Sequence, residues 1–101
     1  MKIEHTGQNL RISELPELTS VNSGHFRDEL RAALPTSPSL IEIDLSQTRF
    51  VDSSGLGALF ALYRSTGDGR SAILRLVNPA PEIQQLFELT QMQQLFEIVQ
   101  R

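Results

Sequence analysis

Apolar and polar residues alternate in the middle of the chain and then change to a helical spacing. In residues 41–45 the apolar side chains fall at every second position, which is typical of a half-buried β-strand. From position 56 the apolar residues recur three or four positions apart, as on one face of an α-helix. The residues of this predicted face are Leu56, Leu59, Phe60 and Tyr63. The pattern therefore predicts a strand that leads through a short turn into a helix.

The turn between this strand and this helix is polar and rich in glycine. Asp52, Ser53 and Ser54 all favour the N-cap position, while Gly55 and Gly57 leave the backbone open to close approach. The unpaired amides of a first helical turn favour an anion at this place. Two interpretations stay open at this point: these residues only cap the helix, or one serine carries a phosphate, which a helix start tolerates electrostatically.

Catalytic and nucleotide-binding motifs do not fit this turn. A serine nucleophile of the G-x-S-x-G type would need another order of residues, and His5 and His25 are the only histidines available to a triad. A phosphate-binding P-loop would need a lysine after the glycines. We therefore expect a binding protein rather than an enzyme, with no cofactor.

The segments before the central strand predict a hairpin and a helix. Residues 1–12 alternate in polarity on both sides of a turn at Thr6–Asn9. Pro16 interrupts the connection that follows, in which Leu15 and Leu18 can turn inward. The next helix presents an apolar face, and proline ends it. The residues of that face are Phe26, Leu30, Ala33 and Leu34.

The segments after the switch from strand to helix predict two more strands and one more helix. Residues 72–77 are apolar almost throughout, as in a strand covered on both faces. Asn78 and Pro79 have the pattern of an N-cap and a first helical residue, and Asn78 also lies at a strand end, where α/β folds place partner contacts. Residues 95–99 fit a last strand or a terminal helix, and their β-branched and aromatic residues favour the strand.

These elements give the order β-β-α-β-α-β-α-β. Strands that alternate with helices after an initial hairpin predict an α/β fold with a mixed β-sheet, on which the helices pack. The length of 101 residues suits a single domain, residues 1–101.

The motif at residues 50–59, Phe-Val-Asp-Ser-Ser-Gly-Leu-Gly-Ala-Leu, resembles the signature of STAS domains, in particular the anti-sigma factor antagonists of bacteria. The resemblance extends along nearly the whole chain, through residues 44–46, 74–78 and 83–98. It implies a STAS fold. It also implies that Ser53, the first serine after the aspartate, is phosphorylated by a partner that is both anti-sigma factor and serine kinase. A phosphatase that would reset the switch is a further candidate partner, which the sequence does not identify.

The resemblance further implies a partner-binding surface around this serine. Its residues are Asp52, Ser53, Ser54, Gly55, Leu56, Gly57, Thr19, Asn22 and Asn78. Leu56 is either the apolar contact of this surface or a core residue. Thr19 stands where many antagonists carry an aspartate near the phosphorylation site, so a polar group is kept but its charge is lost. Thr19 and Asn22 either belong to the site or only cap the next helix.

Composition limits the kinds of molecule that the protein is expected to bind. The net charge is −3 and the basic residues are scattered, so nucleic-acid binding is disfavoured. The chain lacks cysteine and has no apolar run of membrane-spanning length, so we expect no thiolate metal site, no membrane insertion and a cytoplasmic location. The sequence leaves the oligomeric state open. It also leaves an alternative function open, that of a non-phosphorylated STAS adaptor subunit of a transporter or another signalling assembly.

Overall fold

The computed structural model describes all 101 residues, Met1 to Arg101. Strands and helices alternate after an N-terminal hairpin. In chain order the elements are β1 (Lys2–Thr6), β2 (Asn9–Ser13), β3 (Glu17–Leu18), α1 (Ser23–Ala33), β4 (Leu40–Asp44), β5 (Phe50–Val51), α2 (Ser53–Ser65), β6 (Ile73–Val77), α3 (Pro81–Leu89), a 3₁₀ turn (Met92–Gln94) and β7 (Glu97–Val99).

Five of the strands form one mixed sheet in the order β1-β2-β4-β6-β7. The β1–β2 hairpin is antiparallel, and each of the other neighbouring pairs is parallel. The predicted α/β fold, a mixed sheet with an N-terminal hairpin and packed helices, is therefore confirmed. The last segment is the strand that its composition favours, and it pairs with β6 at the sheet edge.

One face of the sheet carries the hydrophobic core. Two rows of buried apolar side chains cross β2, β4 and β6 in register on this face. The rows are Leu10, Ile41, Leu74 and Ile12, Ile43, Leu76. Each helix adds a large side chain to the same buried cluster, namely Phe26 from α1, Leu59 from α2 and Phe87 from α3. Burial of these side chains away from water is the main stabilising contribution to the fold.

The opposite face carries a row of charges whose sign alternates from strand to strand. The row consists of Glu4, Arg11, Glu42, Arg75 and Glu97, one residue from each strand in register. Glu42 at its centre is only 7% exposed and pairs with Arg11, with Arg75 at 3.2 Å and with the C-terminal Arg101 at 2.6 Å. A nearly buried carboxylate is thus fully paired, as burial of a charge requires.

This row corrects the prediction that β6 is covered on both faces. Arg75 of β6 belongs to the charged row, and Ile73 on the same side of the strand is 52% exposed. The apolar composition of residues 72–77 is typical of a strand with two buried faces, which is why the sequence predicts one. Helices cover only the side that carries Leu74 and Leu76.

We expect Glu42→Gln to lower the free energy of unfolding at pH 7 by about 2 kcal/mol, because it removes the carboxylate shared by the arginines. Hydrogen bonds from Arg101 and then Arg75 lower the pKa of Glu42 against the opposing effect of burial. A carboxyl group with a lowered native pKa stabilises the fold above its unfolded pKa, and this contribution is lost as the pH falls through the native value. The difference between wild type and variant should therefore shrink as the pH falls below the ordinary pKa of a glutamate and through the lowered native value. Urea unfolding followed by circular dichroism at several pH values measures it; a difference that does not change with pH would contradict this explanation.

A small parallel sheet outside the main one was not predicted. β3 pairs with β5, so that Glu17 lies opposite Phe50 and Leu18 opposite Val51. The region around Pro16 has the pattern of a plain connection, because a strand of two residues is too short to show alternation. Leu18 is fully buried, as expected, and its carbonyl oxygen accepts a hydrogen bond from the Asp52 amide at 3.3 Å. The small sheet therefore holds the start of α2 against the segment before α1.

The buried face of α2 agrees with the predicted one at Leu59, partly at Leu56 and Tyr63, and differs from it at Phe60. Gly55, Ala58, Leu59 and Leu62 are its buried residues. Phe60 is 44% exposed and stacks on the half-buried Tyr63, with ring centroids 6.0 Å apart. The prediction followed the large apolar residues alone, whereas α2 also turns the small residues Gly55 and Ala58 towards its neighbours. Leu56 is half-buried and packs against the core.

No helix has both the length and the apolar character needed to cross a bilayer.

Candidate functional site

Asp52 connects the start of α2 to the loop before α1. Its Oδ1 accepts a hydrogen bond from the Gly55 amide at 3.0 Å, which is the geometry of a helix N-cap. Its Oδ2 accepts a hydrogen bond from the Ser20 amide at 3.0 Å. The bond from Ser20, followed by that from Gly55, lowers the pKa of Asp52 below its ordinary value. The two loops are therefore joined by a carboxylate that is ionised at neutral pH.

Ser53 and Ser54 are the first two residues of α2, and both are exposed. Asp52 rather than a serine supplies the capping side chain, so the serines are not needed as caps. The interpretation that all three residues only cap the helix is therefore wrong for the serines. Their hydroxyl groups are available to solvent or to another protein.

The two glycines of the motif have different surroundings. A Cβ atom at Gly55 would lie 1.8 Å from the carbonyl oxygen of Leu18, so this position requires glycine. A Cβ atom at Gly57 would meet nothing within 4 Å, and Gly57 is exposed. Gly55 thus allows close packing inside the protein, while Gly57 leaves a flat place on the surface of α2.

Thr19 and Asn22 order the loop that binds Asp52. The Asn22 side chain accepts a hydrogen bond from the Thr19 amide at 2.9 Å and donates one to the Glu17 carbonyl oxygen at 2.6 Å. The Thr19 hydroxyl donates to the Glu17 carboxylate and accepts a hydrogen bond from the Val21 amide at 3.2 Å. Asn22 occupies the N-cap position of α1 but its side chain makes no capping bond there. The alternative that both side chains only cap α1 is therefore wrong.

Glu17 and Ser20 belong to this network but were not predicted. Ser20 contributes through its backbone amide, which no sequence pattern reveals. The contact between Glu17 and Thr19 could have been predicted from their spacing, because residues two positions apart in an extended strand share a face. The carboxylate of Glu17 brings a negative charge to the loop that contains Thr19.

Asn78 lies apart from this network. It has a left-handed backbone, with φ of 55°, directly after β6. Its amide donates to the Val99 carbonyl oxygen at 2.8 Å, and its side-chain oxygen accepts from the Arg101 amide at 2.6 Å. The prediction that Asn78 caps α3 is wrong, since that helix begins at Pro81 with Ala80 at its N-cap. The Asn78 side chain instead fixes the C-terminal segment.

Exposed apolar residues flank the serines. Ser53, Gly57 and Phe60 fall at helical spacing on one side of α2, and Phe60 is 44% exposed. Val21, which follows the Asp52-bound Ser20, is 83% exposed. We call the region formed by Val21, Ser53, Ser54, Gly57 and Phe60 the α2-start surface. It is small and neutral, with apolar side chains beside two hydroxyl groups, and Asp52 adjoins it.

The arrangement offers no group of three or more His, Asp or Glu side chains that could hold a metal ion.

Three comparisons place the fold and the sequence among known proteins. The family model described as "Mlab, STAS domain" matches residues 1–100. A STAS-domain-containing protein of Pseudomonas aeruginosa, strain UCBPP-PA14, is 34% identical over 73 residues, which are 72% of this chain and 70% of that protein.

Two solved structures share the fold at low sequence identity. One is described as a proposed anti-sigma factor antagonist of Thermotoga maritima, with a TM-score of 0.85, 17% identity, and coverage of 99% of this chain and 85% of that one. The other is the Bacillus cell fate determinant SpoIIAA in its phosphorylated form, with a TM-score of 0.70, 18% identity, and coverage of 99% and 89%. The family-model match over nearly the whole chain and the P. aeruginosa relative confirm the resemblance noted at residues 50–59. The chain belongs to the STAS domain family.

Proposed function

We propose that the protein is an anti-sigma factor antagonist, which regulates sigma-factor-dependent transcription by binding an anti-sigma factor and is switched off when Ser53 is phosphorylated. The observation that carries this proposal is the exposed Ser53 at the first position of a helix whose N-cap carboxylate is already fixed by two backbone amides. The likeness of the fold to a protein solved in a phosphorylated form supports it.

The proposed partner docks on the α2-start surface. Gly57 leaves room for a close approach of the partner backbone, and Phe60 and Val21 offer exposed apolar area around the serines. Half-buried Leu56 supports the surface from below by packing on the core. The protein thus acts by binding, and the chemistry belongs to the partner, an anti-sigma factor that is also a serine kinase. A phosphatase returns the protein to its binding form.

Glu17 supports phosphorylation of this particular chain. The replacement of an aspartate by Thr19 removes a charge that many antagonists have near the phosphorylated serine. The Thr19 hydroxyl, however, donates a hydrogen bond to the Glu17 carboxylate, so the loop whose Ser20 amide binds Asp52 still carries a negative group. A kinase that recognises an acidic group in this loop would find one in Glu17.

A second candidate function is that of a STAS adaptor that binds its partner constitutively and is not phosphorylated at Ser53. Two observations favour it: the matching family model is a STAS model named Mlab rather than an antagonist model, and Thr19 departs from the antagonist pattern. In this role the same α2-start surface contacts a subunit of a transporter or of another signalling assembly.

Capture of partners with wild-type and Gly57→Gln protein distinguishes these functions. The variant should fold at least as stably as wild type, since glutamine is a better helix former than glycine by up to about 1 kcal/mol. Its side chain projects from the α2-start surface, so we expect partner capture from the native host to be lost. Ala32→Gln, at an exposed position of α1, is the matched control and should capture normally.

The identity of the captured protein decides between the two candidates. A protein with a serine kinase domain that also binds a sigma factor supports the antagonist. A transporter subunit supports the adaptor. Equal capture by wild type and Gly57→Gln would show that the partner docks elsewhere.

A further inference from the structure

Strand β1 forms one edge of the main sheet and has a single neighbour, β2. Thr6 and Asn9 flank the two-residue turn Gly7–Gln8, and Gly7 has the positive φ that such a hairpin turn favours at its first position. Residues that flank a two-residue turn form a hydrogen-bonded pair, and bonded and non-bonded pairs then alternate along the hairpin. The backbone groups of Glu4 and Lys2 therefore bond to β2, while those of Ile3 and His5 point away from the sheet. An unpaired edge of this kind can bind another strand.

The row of charges on the face opposite the core ends at this edge with Glu4, and Glu4 forms no ion pair. Glu4 lies opposite Arg11 in the hairpin register, but the Arg11 guanidinium pairs with Glu42 and with Asp44 at 2.9 Å. Lys2 lies on the same face as Glu4, two residues before it, and is exposed. The alternation of signs across the sheet would continue if a cation of another strand lay beside Glu4.

We propose that two copies of this chain associate through antiparallel pairing of their β1 strands, centred on Ile3. In this register Lys2 of one copy lies opposite Glu4 of the other, twice by symmetry, and the two Ile3 residues lie opposite each other. Each charged row then continues its alternation of signs into the second copy. The pairing gives the free backbone groups of Ile3 and His5 their hydrogen-bond partners.

Charge excludes the neighbouring symmetric registers. Pairing centred on Lys2 or on Glu4 places like charges directly opposite each other, which is destabilising. Pairing centred on His5 brings the two histidines together and sets Ile3 opposite Gly7, where no side chain packs. In a symmetric register whose centre falls between two residues, a residue whose backbone groups point away from the sheet would lie opposite one whose groups bond to β2. An antiparallel ladder cannot form between such residues. Only the register centred on Ile3 places residues of opposite charge opposite each other.

The second copy also adds apolar contacts on the face of β1 that carries the core. Ile3 lies on the side of Ile12 and is only half-buried in one chain, where it packs on the core. Met1, which would lie opposite His5 of the second copy, is 40% exposed. Both side chains lose contact with water when the strands pair, which favours association.

Sedimentation velocity of protein without an N-terminal tag tests the proposal, with wild type, Lys2→Glu and Glu4→Lys measured over a wide range of concentration. We expect a wild-type dimer, and a dissociation constant raised about tenfold in each variant, because each places like charges opposite each other twice. An equimolar mixture of the two variants should recover the dimer, since one strand is then acidic and the other basic. His5→Pro, which removes an outward amide but no hairpin bond, should also weaken it.

A wild-type chain that stays monomeric at every concentration overturns the proposal. So does a dimer that neither charge variant weakens, because its interface then lies elsewhere. Thermal unfolding of each variant shows that the chain is folded during the measurement.

Discussion

Gly55→Ala is expected to lower the free energy of unfolding by about 3 kcal/mol, the upper end of the cost of overpacking a well-filled site. The added Cβ atom would lie 1.8 Å from the carbonyl oxygen and 2.7 Å from the carbonyl carbon of Leu18. These are backbone atoms of β3, which pairs with β5 and accepts a hydrogen bond from Asp52. They cannot turn aside as a flexible side chain does, so the start of α2 has to move away from β3.

Gly57→Ala is the matched control in the same helix. Nothing lies within 4 Å of a Cβ atom at this position, and alanine is the better helix former, so stability should stay equal or rise by up to about 1 kcal/mol. Urea unfolding of the two variants measures the contrast. Equal stability of the two variants would contradict the packing of α2 on the Leu18 carbonyl.

Phosphorylation of Ser53 is expected to weaken partner binding at least about hundredfold. The phosphate adds up to two negative charges beside the Asp52 carboxylate, whose pKa is already lowered by the Ser20 and Gly55 amides. The amides that would best neutralise an anion at the helix start are thus partly used by Asp52. A docked partner would bury these charges with too few opposite groups, and such unpaired burial costs several kcal/mol.

Ser53→Asp and Ser53→Asn separate charge from shape. The two side chains have nearly the same size, and both favour a helix start. We expect Ser53→Asp, with one negative charge, to lower the affinity at least about tenfold, and Ser53→Asn to bind within a few-fold of wild type. Titration calorimetry with the captured partner provides the measurement. Equal binding by the two variants would contradict a switch that works through charge.

The sequence predicts the elements of the fold wherever the spacing of apolar residues reflects which side chains are buried. Alternation in the hairpin and in residues 41–45 gives strands, and the spacing of Phe26 and Leu30 gives α1 with its buried face. Periodicity fails where small residues or backbone atoms make the contact. Gly55 and Ala58 are buried in α2 while Phe60 is exposed, and the strand pair β3–β5 is too short to leave a pattern.

The site was predictable in its position but not in its connections. Capping chemistry and the motif at residues 50–59 locate the start of α2, and Asp52 is indeed its cap. The link from Asp52 to the Ser20 amide depends on where the loop before α1 lies, and only tertiary structure decides that. Asn78 shows the opposite case, because its sequence context of Asn-Pro has the pattern of a helix start, whereas the chain uses it to hold Arg101.

The intact mass of the protein purified from its native host, before and after phosphatase treatment, tests the central claim most directly. The proposed switch predicts a species heavier by one phosphate that phosphatase removes, with the modified residue mapped to Ser53. Absence of that species under several growth conditions would contradict regulation by phosphorylation. The exposed start of α2 would then be the contact surface of a constitutive STAS adaptor.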